Sequence, residues 1–457
     1  MQRYWMSVAT SSLALTAIVG CASTEGTDPG ADDTTATQQT ITAAGDPLPG
    51  TDPDAFAEAR DNFVAVEDIN DGLGPTFNER GCGNCHNAGG IGGSGIQIER
   101  RFGKVTNGVF FGFDQAPDNE GGTLRQLFSN GTFQNGNTTC TIAVDREAPT
   151  ATVHNVGRRS LPLFGLGLVD AMPDSWFDLL AALEPSATRG TVIRARPQFP
   201  DVRDPSQSLT ANRVARFGIK NQQTNLVSFA GDAYVNEMGI TTQNCYKGTS
   251  ILAFAFETLP NNVAAAPGCN GGDLAPAQPA GDPNVPEFTD DVVGSCAGGL
   301  SEVQDDLANF LFFMEHLAPP PRGSIDPIIA AAGTFEFISA GCADCHTPIS
   351  FTTPSHPFNG VPGNFSFHPY SDFLAHDMGA LGDGIGNTGD PVAKTRLMRT
   401  PPLWGVRLNP QLLHDGRAHS IREAILAHDG QGLAARNKFA GLNIIEQSLL
   451  LAFVNSL

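Results

Sequence analysis

The sequence predicts a mainly α fold in two similar halves with long loops, on three observations. Apolar residues recur at helical spacing, at Ala57, Phe63 and Val64 within residues 54–68 and at 300, 303, 307, 310, 311 and 314 within residues 300–317. The string C-x-x-C-H occurs twice, as GCGNCH at 81–86 and GCADCH at 341–346. Three consecutive prolines, 319–321, stand between the two motifs and forbid a continuous helix there. The chain therefore divides into a first domain, 51–318, and a second, 319–457.

The N-terminus comes first. Residues 1–21 carry Arg3, a short apolar stretch and the ending Ile18, Val19, Gly20, Cys21. The stretch is too short for a permanent membrane span, and its ending is similar to a bacterial lipobox. It predicts a lipoprotein signal peptide, export to the periplasmic side of a bacterial envelope, and membrane attachment only through lipid on Cys21. Residues 22–50, rich in Thr, Asp, Gly and Pro, predict a flexible linker.

The first domain opens with a helix over 54–68 capped by Asp54, and the first motif follows directly. The helix over 300–317, capped by Ser301, ends at the prolines. The second domain repeats the plan of helix, motif and loops. Its SIREAILAH segment is a capped helix with Ile421, Ala424, Ile425 and His428 on one face, and a closing helix covers 444–457. The 51 glycines and 32 prolines among 457 residues fit loop-rich, enclosed domains and exclude a long helical bundle. A net charge of −21 argues against nucleic acid or an anionic bilayer as direct partner and favours a small substrate or a basic redox protein.

From the residue frequencies, C-x-x-C-H is expected roughly 0.004 times by chance, so two copies are a strong signal. Cysteines three apart lie on one face of a helical turn, where both can form thioethers to one porphyrin edge. The next histidine then falls beneath the iron. The reading is two haem c groups, attached through Cys82, Cys85, Cys342 and Cys345 with His86 and His346 as proximal iron ligands. A four-thiolate zinc site would leave both histidines unexplained, and a thioredoxin-like pair would want a βαβ context that the flanks lack. Cys140, Cys245, Cys269 and Cys296 remain, an even number that suggests two disulfides in three possible connectivities.

Beyond these motifs, LGPTFNERGCGNCH (73–86), RRSLPLFGLGLVDAMPD (158–174), ARFGIKNQQTNL (215–226), HLAPPPR (316–322), FLAHDMGALGDG (373–384) and RTPPLWGVRLNPQLLHDGRAHSIREAILAHDG (399–430) resemble the bacterial di-haem oxidoreductase family. Its members carry the labels peroxidase or thiol oxidoreductase, and it belongs to the superfamily of di-haem cytochrome c peroxidases. The resemblance implies two cytochrome-c-like haem domains facing each other, one haem relaying electrons and the other facing substrate. Residues 240–300, with three of the spare cysteines, depart from it as an insertion. Nothing in the sequence marks a dedicated thiol site.

For the second iron, the sixth-ligand candidates are Met378, Met398, His376, His414, His419 and His428. The superfamily pattern, counted fourteen residues on from His414, implies His428, with Met378 the next choice. For the first haem, the resemblance points to the 154–174 stretch: Asp170, His154, Arg158 and Arg159 are the proton-transferring and cationic types that peroxide cleavage needs. The family often has glutamate where Asp170 stands. Phe164 and Leu166 form an apolar wall for the porphyrin, and Trp404 or Trp176 packs on or between the haems. A calcium ion is a further cofactor candidate.

These readings converge on an exported peroxidase that takes electrons from a small redox protein at the His346 haem and uses them on hydrogen peroxide at the His86 haem. A dioxygen-using enzyme resembling the rubber oxygenases, acting on an organic substrate, and a non-enzymatic electron carrier are the alternatives.

Overall fold

In the computed structural model of the chain, the described residues are 41–68, 73–74, 76–112, 123–135, 137–142, 154–240, 244–246, 249–251 and 305–457. Every described residue belongs to one compact unit, Gln39–Leu457. The signal peptide, most of the linker, Cys269 and Cys296, and so the disulfide connectivity, lie outside the described residues. Residues 41–50, assigned to the linker by composition, are anchored: Leu48 is fully buried and its amide donates to the His316 carbonyl at 2.7 Å.

Helix α1 (Pro53–Phe63) starts one turn-position earlier than its pattern suggests. Asp52, not Asp54, accepts the free amides of Asp54 and Ala55, and Pro53 occupies the first turn where no amide is needed. Its buried face, Phe56, Ala59 and Phe63, packs on α6 (Asp305–His316) through Phe56–Phe313 and Phe63–Phe313 ring contacts at 5.4 and 4.6 Å. Between them in sequence come α2 (Cys82–Cys85), α3 (Leu166–Asp170), α4 (Asp174–Leu183) and α5 (Leu226–Ala233).

The expectation of a mainly α fold is overturned. The protein is 35% helix and 17% strand, a mixed α/β architecture with several small sheets, and two cytochrome-c-like domains are not seen in it. The largest sheet centres on β1 (Ile98–Thr106), which pairs antiparallel with β2 (Val109–Phe111), β3 (Leu124–Arg125) and β4 (His154–Arg159). Thr106 pairs with Val109 across Asn107–Gly108, both at positive φ. An Asn-Gly two-residue turn of this kind matches the twist of the strands it joins. Register places Glu99 opposite Arg158 and Ile98 opposite Arg159.

In the C-terminal part, Asp326 and Pro327 start α7 (Pro327–Ala340), and Gly341, at φ 88°, stops it directly before Cys342. Helices α8 (Ile421–Leu426), α9 (Leu433–Gly441) and α10 (Ile444–Val454) follow. Ser420 caps α8 and an Asn443/Glu446 capping box starts α10. Phe337 of α7, Phe439 of α9 and Leu450, Phe453 and Val454 of α10 form the smaller core. The larger core holds α1, α3, α5 and α6, and also Phe351, Phe367, Phe373 and Trp404 from beyond the three prolines. No helix among the described residues is long and apolar enough to cross a membrane.

Candidate functional site

The first motif folds as the single turn α2, closed by the His86 amide donating to the Cys82 carbonyl at 3.0 Å. His86 Nδ1 lies 3.1 Å from the Gly93 carbonyl, which can only accept, so Nδ1 carries the proton and Nε2 keeps its lone pair. Burial pushes this imidazole down to about 4, which keeps it neutral. The carbonyl comes this close because residue 93 has no side chain: a Cβ there would meet the Ala88 carbonyl oxygen at 1.9 Å. Cys82 and Cys85 are unpaired thiols, as are Cys342 and Cys345, which excludes a disulfide within either motif.

The motif opens onto a cavity of 1050 Å³, at the upper end of the range of about 300–1,000 Å³ for sites that hold small molecules and cofactors. Leu161, Pro162, Leu163, Leu166 and Met314 give it an apolar wall. Arg159 and Arg399 line it as well, and each is half satisfied. Arg159 Nε donates to the Leu413 carbonyl and Arg399 Nε to the Gly218 carbonyl, both at 2.8 Å, while NH1 of each is buried without a partner. Burial pulls both guanidiniums down to about 10, each opposed by a single carboxylate, Asp415 and Asp372 respectively. Two buried, half-satisfied cations facing a cavity call for anionic groups. The two propionates of a haem are such groups, and the residues present fit it.

The second motif repeats the geometry. The His346 amide donates to the Cys342 carbonyl at 2.9 Å, and Nδ1 donates to the Tyr370 carbonyl at 2.9 Å. Burial again pushes the imidazole down to about 4, and the charge of nearby His428 acts in the same direction. His428 follows α8, its Nδ1 donating to the Ala424 carbonyl at 2.8 Å, so it too presents Nε2. Met378 converges on the same place: a Cβ at Gly432 would stand 3.1 Å from His428 Cδ2 and 3.3 Å from Met378 Cε.

The other ligand candidates are placed elsewhere. His376 is engaged at both nitrogens, 3.6 Å from Cys345 Sγ and 3.0 Å from Asp372 Oδ2. His414 lies among Asp415, Asp383 and Arg158, Met398 Sδ is 3.6 Å from Lys220 Nζ, and His419 is exposed.

The distal candidates separate. Arg158 lines the first cavity but is bound to Asp383. His154 sits in β4 opposite Gly103. Phe164 is buried in the larger core and is not a cavity-lining residue, whereas Leu166 is. Asp170 is buried away from the cavity lining, accepting the Leu226 amide at 3.3 Å among Arg216, Asp201 and Arg203. Trp176 packs edge-on against Phe351, 5.7 Å between centroids. Trp404 is buried in the larger core. A Cβ at Gly165 would stand 2.7 Å from its ring, and neighbouring Leu403 donates to the Pro369 carbonyl, one residue before the Tyr370 carbonyl that holds His346.

Sequence reasoning missed Lys220, Glu99, Arg101, Asp232 and Glu237, all cavity-lining. For Glu99 and Arg101 the signal was there: residues two apart on a strand share a face. Glu237 sits in a π-helical turn, Tyr234–Met238, that extends α5, and no spacing rule locates it.

Comparison with known proteins gives one family. Residues 287–457 match the family described as "Di-haem oxidoreductase, putative peroxidase". No curated protein matches the chain. Among solved structures, Kuenenia stuttgartiensis hydrazine synthase matches at 17% identity and a TM-score of 0.24, over 34% of this chain and 57% of that one. The match thus spans little more than half the length of that relative, and at that score it bears on neither fold nor function.

Proposed function

We propose that this chain, whose residues 287–457 fall in the di-haem oxidoreductase family, is an exported c-type di-haem oxidoreductase that reduces hydrogen peroxide. The observation that carries the reading is the repeated motif in which each histidine is held at Nδ1 by a backbone carbonyl, one beside a cavity with two half-satisfied arginines and the other near a third histidine. The family implies haem. Cys82 and Cys85 would hold one group and Cys342 and Cys345 the other, with His86 and His346 as proximal ligands and Arg159 and Arg399 meeting the propionates of the first. When bound, the haems supply one-electron redox chemistry and a site for peroxide.

The residues of the chain do the rest. His428, with Met378 beside it, closes the second site and suits it to electron transfer. The first cavity leaves room for substrate, its apolar wall excluding water while its polar wall exchanges protons. Electrons enter from a small redox protein at the His346 site, in an envelope compartment where lipid on Cys21 anchors the protein to a membrane. Calcium is not assigned a site.

A dioxygen-using enzyme acting on an apolar organic substrate is the second reading, favoured by the wall formed by Leu161, Pro162, Leu163 and Leu166. Haem staining and a pyridine haemochrome assay on the purified protein, with EPR before and after peroxide, test the first. Two haems per chain, one high-spin signal that peroxide removes, and peroxide consumption coupled to donor oxidation are expected. A stoichiometry of one haem overturns it, and dioxygen consumption without peroxide turnover moves the reading to the second.

A further inference from the structure

The polar wall of the first cavity contains two carboxyl groups from different elements, Glu99 on β1 and Glu237 on the π-helical turn, hydrogen-bonded to each other. Each has its own support. Arg101 grips Glu99 in a fork, Nε to Oε1 at 2.8 Å and NH2 to Oε2 at 3.0 Å. The same guanidinium stays 3.9 Å from Glu237, whose Oε2 accepts from Asn78 Nδ2 at 2.7 Å. The strong ion pair thus goes to Glu99 and leaves Glu237 with a neutral amide partner. Two carboxyl groups in hydrogen-bond contact cannot both be charged, since an acceptor-only pair has no hydrogen to share.

We propose that Glu99 and Glu237 share a single proton at neutral pH, carried on Glu237, and that this pair exchanges protons with the substrate in the first cavity. The inference rests on the peroxidase reading for its substrate. Peroxide reduction breaks one O–O bond and takes up two electrons and two protons to give two waters. The reduced donor protein supplies the electrons one at a time. Glu237 gives one proton to the departing oxygen, becomes a carboxylate beside Arg101, and is reprotonated from the water that reaches its 37% exposed side chain; the second proton comes from the same water.

The electrostatics agree in direction. Burial, and then the charge of Glu99, raise Glu237 well above the usual carboxylate range, while Arg101 and Arg158 help hold Glu99 below it. The other groups facing the pair are Asp232 on α5, Glu79 and the thiols of Cys82 and Cys85. A carboxylic acid kept neutral in this way can act as a donor at neutral pH. A single π turn within a helix is uncommon and tends to mark functional positions, and here it is the element that carries Glu237.

Infrared difference spectroscopy of the full-length, haem-loaded protein tests the pair without turnover, and peroxide kinetics test its use. The wild type is expected to show a protonated-carboxyl band at pH 7 that disappears in Glu237→Gln. The same variant should lose at least tenfold in kcat with haem content unchanged, and should lose the fall in activity on the alkaline side that marks loss of the donated proton. Glu237→Asp should restore part of both. A band unchanged in Glu237→Gln overturns the shared proton, and a lost band with unchanged kcat and pH profile overturns the exchange with substrate. Should the wild type bind two haems yet not turn over peroxide, the peroxidase reading fails, the exchange step fails with it, and the band alone judges the shared proton.

Discussion

Arg158 and Asp383, 225 positions apart in the chain, meet in a doubly hydrogen-bonded ion pair with Nε 2.8 Å from Oδ2 and side chains only 4% and 0% exposed. Lys220 Nζ reaches the other oxygen of the same carboxylate at 2.8 Å. One acid between two buried cations is a costly thing to remove. Asp383→Asn is expected to destabilise the protein by about 3–5 kcal/mol, the scale for breaking a buried pair by deleting one partner. The two cations also hold the Asp383 carboxyl well below the usual carboxylate range. Its contribution is therefore full above the ordinary carboxylate pKa and declines as the pH falls below it. Urea unfolding at pH 7 and pH 3 checks both: the gap between variant and wild type should be wide at the first and only begin to shrink at the second, since a carboxyl held this low stays largely ionised there.

Asp170 behaves oppositely. Burial pushes it up to about 7, only partly offset by Arg216, while the ordinary value is 3.8. Between those values the unfolded chain has released the proton and the folded chain keeps it, so the group lowers stability as pH rises, by up to about 1.4 kcal/mol per pH unit. Asp170→Asn keeps an acceptor for the Leu226 amide. It is expected to match wild type near pH 4 and to exceed it near pH 7.5 in chemical unfolding, with little change in peroxide turnover. A hundredfold loss of turnover would instead give Asp170 the acid–base role that the family resemblance implies.

At the second site, His428→Ala is expected to convert a low-spin haem signal to a high-spin or water-ligated one while the first signal barely moves. The imidazole is fixed by the Ala424 carbonyl, and its removal leaves an open coordination position. Met378→Ala should leave the low-spin signal in place. EPR of the two variants decides between the ligands: an intact low-spin signal in His428→Ala moves the assignment to Met378.

Arg399→Gln is expected to lower the reduction potential of the first haem and leave its covalent attachment intact. Reduction makes the iron less positive, so a buried cation nearby favours the reduced form and its loss favours the oxidised one. The unpartnered NH1 of Arg399 is what makes it available to a propionate. Spectroelectrochemical titration reads the shift, and an unchanged potential would take Arg399 away from the haem.

The local geometry of the two C-x-x-C-H turns was legible in the sequence because it depends on residues one to four apart: the spacing of Cys82, Cys85 and His86 survives whatever the rest of the chain does. Helices α1, α6, α8 and α10 were legible for the same reason, as periodicity is local, although α1 is capped by Asp52 and not Asp54 and the Ser301 cap lies outside the described residues. The sheet around β1 was not. β1, IERRFGKVT, mixes polar and apolar residues on both faces, so its alternation is weak, its partners are only two to six residues long, and the Asn107–Gly108 turn was the one sharp signal. The first-site acids were illegible for another reason. Glu99 and Glu237 become partners only when β1 and the end of α5 pack together across 138 residues of chain, and the Asp170 region, legible as a motif, turned its acid into the core rather than the cavity.

The three histidines expected to ligate iron are all held at Nδ1 by main-chain carbonyls, those of Gly93, Tyr370 and Ala424. Every residue has a carbonyl, so a side-chain replacement at Tyr370 or Ala424 leaves the acceptor in place, and only Gly93, where a Cβ would meet the Ala88 carbonyl, has to stay as it is. The tautomer of each ligand is inherited from the path of the chain, which gives it mutational robustness. Drift can rewrite the cavity walls over a candidate ligand frame that selection has to guard at few positions, Gly93 among them.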